Sequence, residues 1–131
     1  MSTPDKMTDF VDGLREIVKR NNVNLLNVTI RAVHKDALTA LPYAKQNMLA
    51  FVLYFNQNLN ERDSKALEKV TTELIDVAIT LQGTYYLPYQ LYYTKEQLRR
   101  AYPEIDTFFS AKRKHDPNGV FTNKFYEKYR N

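Results

Sequence analysis

Residues 48–56 are apolar in both parities. Met48, Ala50, Val52 and Tyr54 alternate with Leu49, Phe51, Leu53 and Phe55. Successive side chains of an extended chain point to opposite faces, so this strand needs cover on both sides and belongs inside a sheet. The preceding extended run, Leu25 to Val33, is different. Leu26, Val28, Ile30 and Ala32 take one face, while Asn27, Thr29 and Arg31 take the other. A regular polar face is expected where a sheet covers a ligand or meets water. The two runs pair most simply as antiparallel neighbours across a connection from His34 to Asn47, broken by Pro42.

Helical patterns flank them. Phe10, Leu14, Ile17 and Val18 share one face of a helix predicted from Asp5 to Arg20, weakened modestly by Gly13. Leu67, Val70, Leu74, Val77, Ala78 and Leu81 form the stripe of a longer helix over Asn60 to Leu81, with Gly83 as its stop. Thr84 to Tyr89 is predicted as a third strand, closed by Pro88. Thr94 and Gln97 are spaced as a capping box for a short helix through Tyr102. Pro103 opens another helix, with Ile105, Phe108 and Phe109 inward. Asp116-Pro117-Asn118-Gly119 is a turn, and Phe121, Phe125 and Tyr129 suggest a final docked turn.

This order implies an α+β domain with helices on one face of an antiparallel sheet. A ferredoxin-like βαββαβ unit lacking its first strand would give the same opening, followed here by short C-terminal helices. A chain of 131 residues suits one domain. Within it, 5–90 is expected to form the sheet and its helices, and 94–131 a helical tail.

Composition narrows the chemistry. There is no cysteine, so disulfides and thiolate metal sites are excluded, and two histidines are too few for a metal cluster. With three glycines, no loop can cradle a pyrophosphate closely. No apolar run approaches the ~20 residues of a membrane span, and Met1 to Lys6 lacks a signal-peptide core, so a cytoplasmic location is the default expectation. Residues 95–131 carry nine basic and five acidic side chains and hold the whole net charge of +4. Lys112, Arg113 and Lys114 are expected to be the solvated, dipole-matched end of a helix. Tyr85, Tyr86, Tyr89, Tyr92, Tyr93 and Tyr102 crowd into eighteen residues, and tyrosine offers a flat apolar face with a hydroxyl for a flat polar ligand or an interface.

The segment from Gly83 to Tyr129 resembles the C-terminal end of FAD-linked oxidases of the vanillyl-alcohol-oxidase type. These include aldonolactone and alditol oxidases and decaprenylphosphoryl-ribose oxidase. The resemblance is carried by Gly83 opening an aromatic strand, the Ala101-Tyr102-Pro103 junction, the helix from Phe109 to Lys112, Asp116-Pro117 and Phe121-Thr122-Asn123. It implies a cap domain that forms the substrate side of a flavin pocket. FAD would be held mainly by a separate N-terminal binding domain, the principal partner, and the isolated chain would be inactive.

The resemblance also implies roles. Tyr86 takes a position near the flavin that is aromatic or histidine in the sugar and lactone oxidases. Tyr89 takes one occupied there by lysine. A lysine stabilises the negative charge that develops on hydride arrival, whereas a neutral tyrosine donates only a hydrogen bond. Tyr86 and Tyr89 have opposite parity, so both can face the flavin only if Pro88 bends the chain. Asn123 is expected to hold the tail near the cofactor. On the residues alone, Arg31 is a candidate to grip an anionic or polyhydroxylated small substrate, with Tyr54 and Asn56 as further substrate contacts. Two other classes fit the same sequence: a nucleic-acid-binding α+β module using the basic tail, and a small association domain that dimerises through its sheet.

Overall fold

The computed structural model describes residues 1–58 and 60–130. It is an α+β fold with one two-stranded antiparallel sheet. A 3-10 turn over Pro4–Lys6 leads into α1 (Met7–Asn21), then β1 (Asn24–Val33), β2 (Met48–Asn56) and α2 (Glu61–Thr80). Three short helices follow: α3 (Lys95–Ala101), α4 (Ile105–His115) and α5 (Lys124–Tyr129).

The first four of these elements follow the periodicity of the sequence. Phe10, Leu14 and Ile17 are buried on α1, and the ring of Phe10 lies 4.6 Å from that of Phe51 on β2. Both helices lie on the sheet face that carries Leu25, Val28, Leu53 and Phe55, around Leu14, Ile17, Val70 and Leu74. Gly13 has a packing reason as well as a propensity cost: a Cβ there would meet Val77 Cγ1 of α2 at 2.9 Å. One inward assignment is corrected. The β1–β2 register shifts between Leu25 and Asn27, so Leu26 is the extra residue of a bulge and stays exposed, while Leu25 takes the inward place.

The predicted third strand is absent. Residues 84–89 are extended at first, then turn, with the Tyr89 N–H donating to the Tyr86 carbonyl at 3.4 Å. The stretch does not pair with β2. Instead, Met1 and Ser2 lie between them. Ser2 and Leu49 exchange two backbone hydrogen bonds, and Met1 exchanges two with Thr84, its terminal ammonium donating to the Thr84 carbonyl at 2.6 Å. β2 is consequently not covered on both sides as its composition demands: only Met48 is fully buried, and Tyr54 is half exposed.

The stop after α2 is also displaced by one residue. Gln82 (φ 60°), not Gly83, takes the left-handed conformation, and the Gly83 N–H closes a Schellman-type bond to the Ala78 carbonyl at 2.7 Å. Glycine is required at 83 for proximity, because a Cβ would lie 2.0 Å from the Met1 carbonyl oxygen and 2.9 Å from that of Ala78.

Beyond residue 90 the expected capping box is present, with Thr94 Oγ1 accepting from the Gln97 N–H and Gln97 Oε1 accepting from the Thr94 N–H. α4 begins at Ile105, two residues later than Pro103 suggested. Its last turn carries Lys112, Arg113, Lys114 and His115, as the helix dipole favours. Lys112 pairs with Asp116, which also accepts from the Val120 and Phe121 N–H groups. Those bonds hold its carboxyl down at about 2. Phe121, expected to dock the tail, is exposed, whereas Tyr126 and Tyr129 are buried.

Gly83→Ala is expected to cost about 2 kcal/mol in urea unfolding, because two backbone carbonyls must move to admit the methyl group. Gly119→Ala, where nothing lies within 4 Å of the added carbon, should lose only the strain of its positive φ, about 1 kcal/mol.

Candidate functional site

Helices cover one face of the sheet and leave the other open. Pairing across the register puts Asn27, Thr29 and Arg31 of β1 on the open face beside Tyr54, Val52 and Ala50 of β2. A cavity of about 710 Å³ starts there, wraps the edge of β2 and reaches down to Leu67, Leu74 and Ala78 of α2. Its far wall is the 84–93 stretch.

Four of the six candidates from the sequence line this one cavity: Arg31, Tyr54, Tyr86 and Tyr89. The parity conflict between the two tyrosines is resolved by the turn through Leu87 and Pro88. It carries Tyr89 back so that its ring meets that of Tyr86 edge-on, with centroids 5.0 Å apart. Both rings are about half exposed, at 46% and 60%. Among the described residues no carboxylate pairs with the exposed Arg31.

The other two candidates lie elsewhere. Asn56 is exposed at the end of β2, opposite Asn24, and does not line the cavity. Asn123 caps α5, its side-chain oxygen accepting from the Tyr126 N–H at 2.8 Å, beside a separate smaller cavity with Phe108 and Phe121.

The tyrosine cluster divides by depth. Tyr93, Tyr102 and Tyr129 belong to the core, with Tyr93 and Tyr129 stacked 4.7 Å apart and the Tyr129 hydroxyl donating to the Tyr93 carbonyl at 2.6 Å. Burial pushes the Tyr129 phenol up to about 12, and raises Tyr93 and Tyr102 as well. Tyr102 donates to the Tyr85 carbonyl and so fixes the backbone from which Tyr86 projects. All three are buried and form the scaffold behind the cavity wall.

Two residues outside the six candidates also line the cavity. Tyr43, in the connection between the strands, sets its ring edge-on to Tyr86 at 5.7 Å, and its carbonyl accepts from Thr84 Oγ1 at 2.5 Å. Only tertiary folding brings residues 43 and 86 together. Tyr85 lines the cavity, its buried hydroxyl has no hydrogen-bond partner among the described residues, and burial raises its pKa strongly. An unsatisfied buried donor of this kind is costly unless a partner arrives.

The exposed aromatic pair and the Arg31 guanidinium present ring faces and N–H donors along one open wall. The long helices α1 and α2 begin with acidic first turns, and no glycine-rich turn precedes a helix among the described residues, so nothing here fits a pyrophosphate. Among the described residues there is no cluster of three or more potential metal ligands, and no helix is long and apolar enough to cross a membrane.

The family model for D-arabinono-1,4-lactone oxidase matches residues 4–129. No curated protein and no solved structure matches the chain.

Met1 at the cavity rim gives a testable pH dependence. Burial lowers its ammonium from 8.0 to about 6. Below pH 6 folded and unfolded chains both hold the proton, and the folded state bears the full burial penalty. Between 6 and 8 the unfolded chain binds more protons, so stability rises with pH and levels off above 8. Melting temperature should climb across that window. The climb should vanish in chain acetylated at its N-terminus, which separates it from the two histidines.

Proposed function

Since the chain belongs to the D-arabinono-1,4-lactone oxidase family, a family of FAD-linked oxidase C-terminal parts, we propose that it is the cap of an FAD-dependent oxidoreductase acting on a sugar, a lactone or a similar alcohol. The observation that carries this reading is the convergence of Arg31, Tyr54, Tyr86 and Tyr89 on a single open cavity. FAD, held mainly by the flavin-binding partner, supplies the hydride acceptor for a carbinol C–H. The chain contributes the opposite wall.

The roles follow from the side chains. Tyr86 and Tyr89 offer ring faces and hydroxyl donors to a flat polar ring system. Arg31 offers paired N–H donors to a carboxylate or to adjacent hydroxyls of a sugar. Tyr54 closes the substrate side beside it. The wall also excludes water once the partner seats against it, which strengthens every polar contact inside. With Tyr89 in place of a lysine, this wall has no ammonium at that point to balance charge on the ring, so a partner group must do so.

Alone, the chain has a ring-facing wall but no phosphate grip. Free FAD should therefore bind no tighter than about 10 μM by flavin fluorescence quenching, roughly 7 kcal/mol of binding energy, and no turnover should be detected. Submicromolar binding or turnover by the isolated chain would contradict the proposal. In the assembled oxidase, Arg31→Ala should raise KM by about tenfold or more with little change in melting temperature, because a charge-assisted contact is lost from an exposed side chain. An unchanged KM would remove Arg31 from the substrate site.

A further inference from the structure

A second cavity, of about 380 Å³, lies between α4 and α5 and is walled by Phe108, Phe121 and Phe125, with Lys112 at its side. We infer that it is a docking site for an acidic polypeptide segment of another protein, which seats one large apolar side chain in the hollow and sets carboxylates on the cations around it. This surface shares no residue with the wall that holds Arg31 and Tyr86, so it stands apart from the flavin reading.

Local bonds hold the apolar side chains outward. Phe121 is 77% exposed and Val120 72%. Their backbone is nonetheless clasped. The Asp116 carboxylate accepts both of their N–H groups at 2.9 Å and pairs with Lys112, and the Gly119 N–H donates to the Asp116 carbonyl at 3.1 Å. The two side chains are therefore displayed from an ordered turn, and little backbone freedom remains to be lost when a partner binds. A single exposed apolar side chain needs no explanation, but two on a braced turn beside an apolar hollow form a patch.

Charge decides what covers the patch. From Ala111 to Arg130 there are six Lys and Arg side chains and two acidic ones. Both acids are occupied within the chain, Asp116 as above and Glu127 by the Thr122 hydroxyl, which donates to it at 3.3 Å. Lys112 and Arg130 lie against the ring of Tyr126, at 4.9 and 5.3 Å from its centroid, which brings two cations to the edge of the hollow. Among the described residues no carboxylate pairs with Arg113, Lys114, Lys124 or Arg130. Carboxylates of a partner would supply the missing counter-charges and steer its approach. A phosphate backbone would use these cations and leave the hollow empty. A bilayer would take the protruding tips without filling it. A segment with carboxylates around one large apolar side chain uses both features.

The test titrates the full chain with a short synthetic peptide of Asp and Glu around one central Phe, and follows amide shifts by NMR. One comparison peptide carries Ser in place of Phe, and another carries Lys in place of the acids. The first peptide should shift the Val120, Phe121 and Phe125 amides and saturate by about 1 mM. The Ser peptide should bind about fivefold more weakly or worse, and the Lys peptide should not bind. Phe121→Ser should weaken the first peptide by about tenfold at an unchanged melting temperature, because the side chain is exposed. Arg113→Glu combined with Lys114→Glu should weaken it by a similar factor. Raising salt to about 0.5 M should do the same to the unsubstituted chain, which keeps the test decisive without any variant. Absence of saturable shifts at these amides would overturn the inference. So would equal binding of the Ser peptide, since charge alone would then account for it. Binding to phosphatidylserine vesicles, or self-association by light scattering, that Phe121→Ser abolishes would also overturn it, because a lipid surface or a second copy would then hold the patch.

Discussion

Helix α2 is buried along two flanks. Val70 and Leu74 pack toward the sheet with Leu14 and Ile17, and Ile75 and Ile79 pack toward the tyrosines and the C-terminal helices. A helix gripped on both sides fixes the distance between the two clusters it separates. The cavity is the gap that remains above it. Gln97 adds a polar tie by donating to the Thr72 carbonyl at 2.9 Å, and Glu73 accepts from Arg20 and Asn21 at the end of α1. Burial of this kind is nondirectional, so it sets spacing. The backbone bonds of Met1 and Ser2 then set orientation.

The open face and the open edge have different physical origins. The open face is written into β1, whose Asn27, Thr29 and Arg31 need no apolar cover. The open edge is not compatible with the sequence of β2, which carries apolar residues in both parities yet leaves most of them only partly covered. A polar face without cover is stable in water. An apolar edge without cover is costly in water, and the same cavity borders both surfaces. The open face and the open edge are therefore adjacent.

Much of the local structure was legible. The face of α1, the length of α2, the two strands and the Thr94–Gln97 box follow from periodicity and capping, which depend on neighbours within a few residues. The third strand failed because an aromatic, β-prone stretch still needs an adjacent edge to pair with. Met1 and Ser2 stand in that place, and Pro88 turns the chain before any ladder can lengthen. Leu26 misled because alternation cannot reveal a bulge. Gly83 was correctly marked as special, but for conformation, when its role is close approach to Met1.

The candidate site divides in the same way. Sequence alone determined which side chains are available: a polar-faced strand with Arg31, a strand ending near Tyr54, and a tyrosine-rich stretch whose motifs carried the family resemblance. These properties belong to residue identity and short spacing. Only the tertiary structure decided that Tyr86 and Tyr89 face the same way, that Tyr43 joins them, that Tyr93, Tyr102 and Tyr129 are core, and that Asn123 is spent on capping α5. Those outcomes depend on contacts between residues far apart in the chain, and no local pattern records which distant surface a side chain will meet.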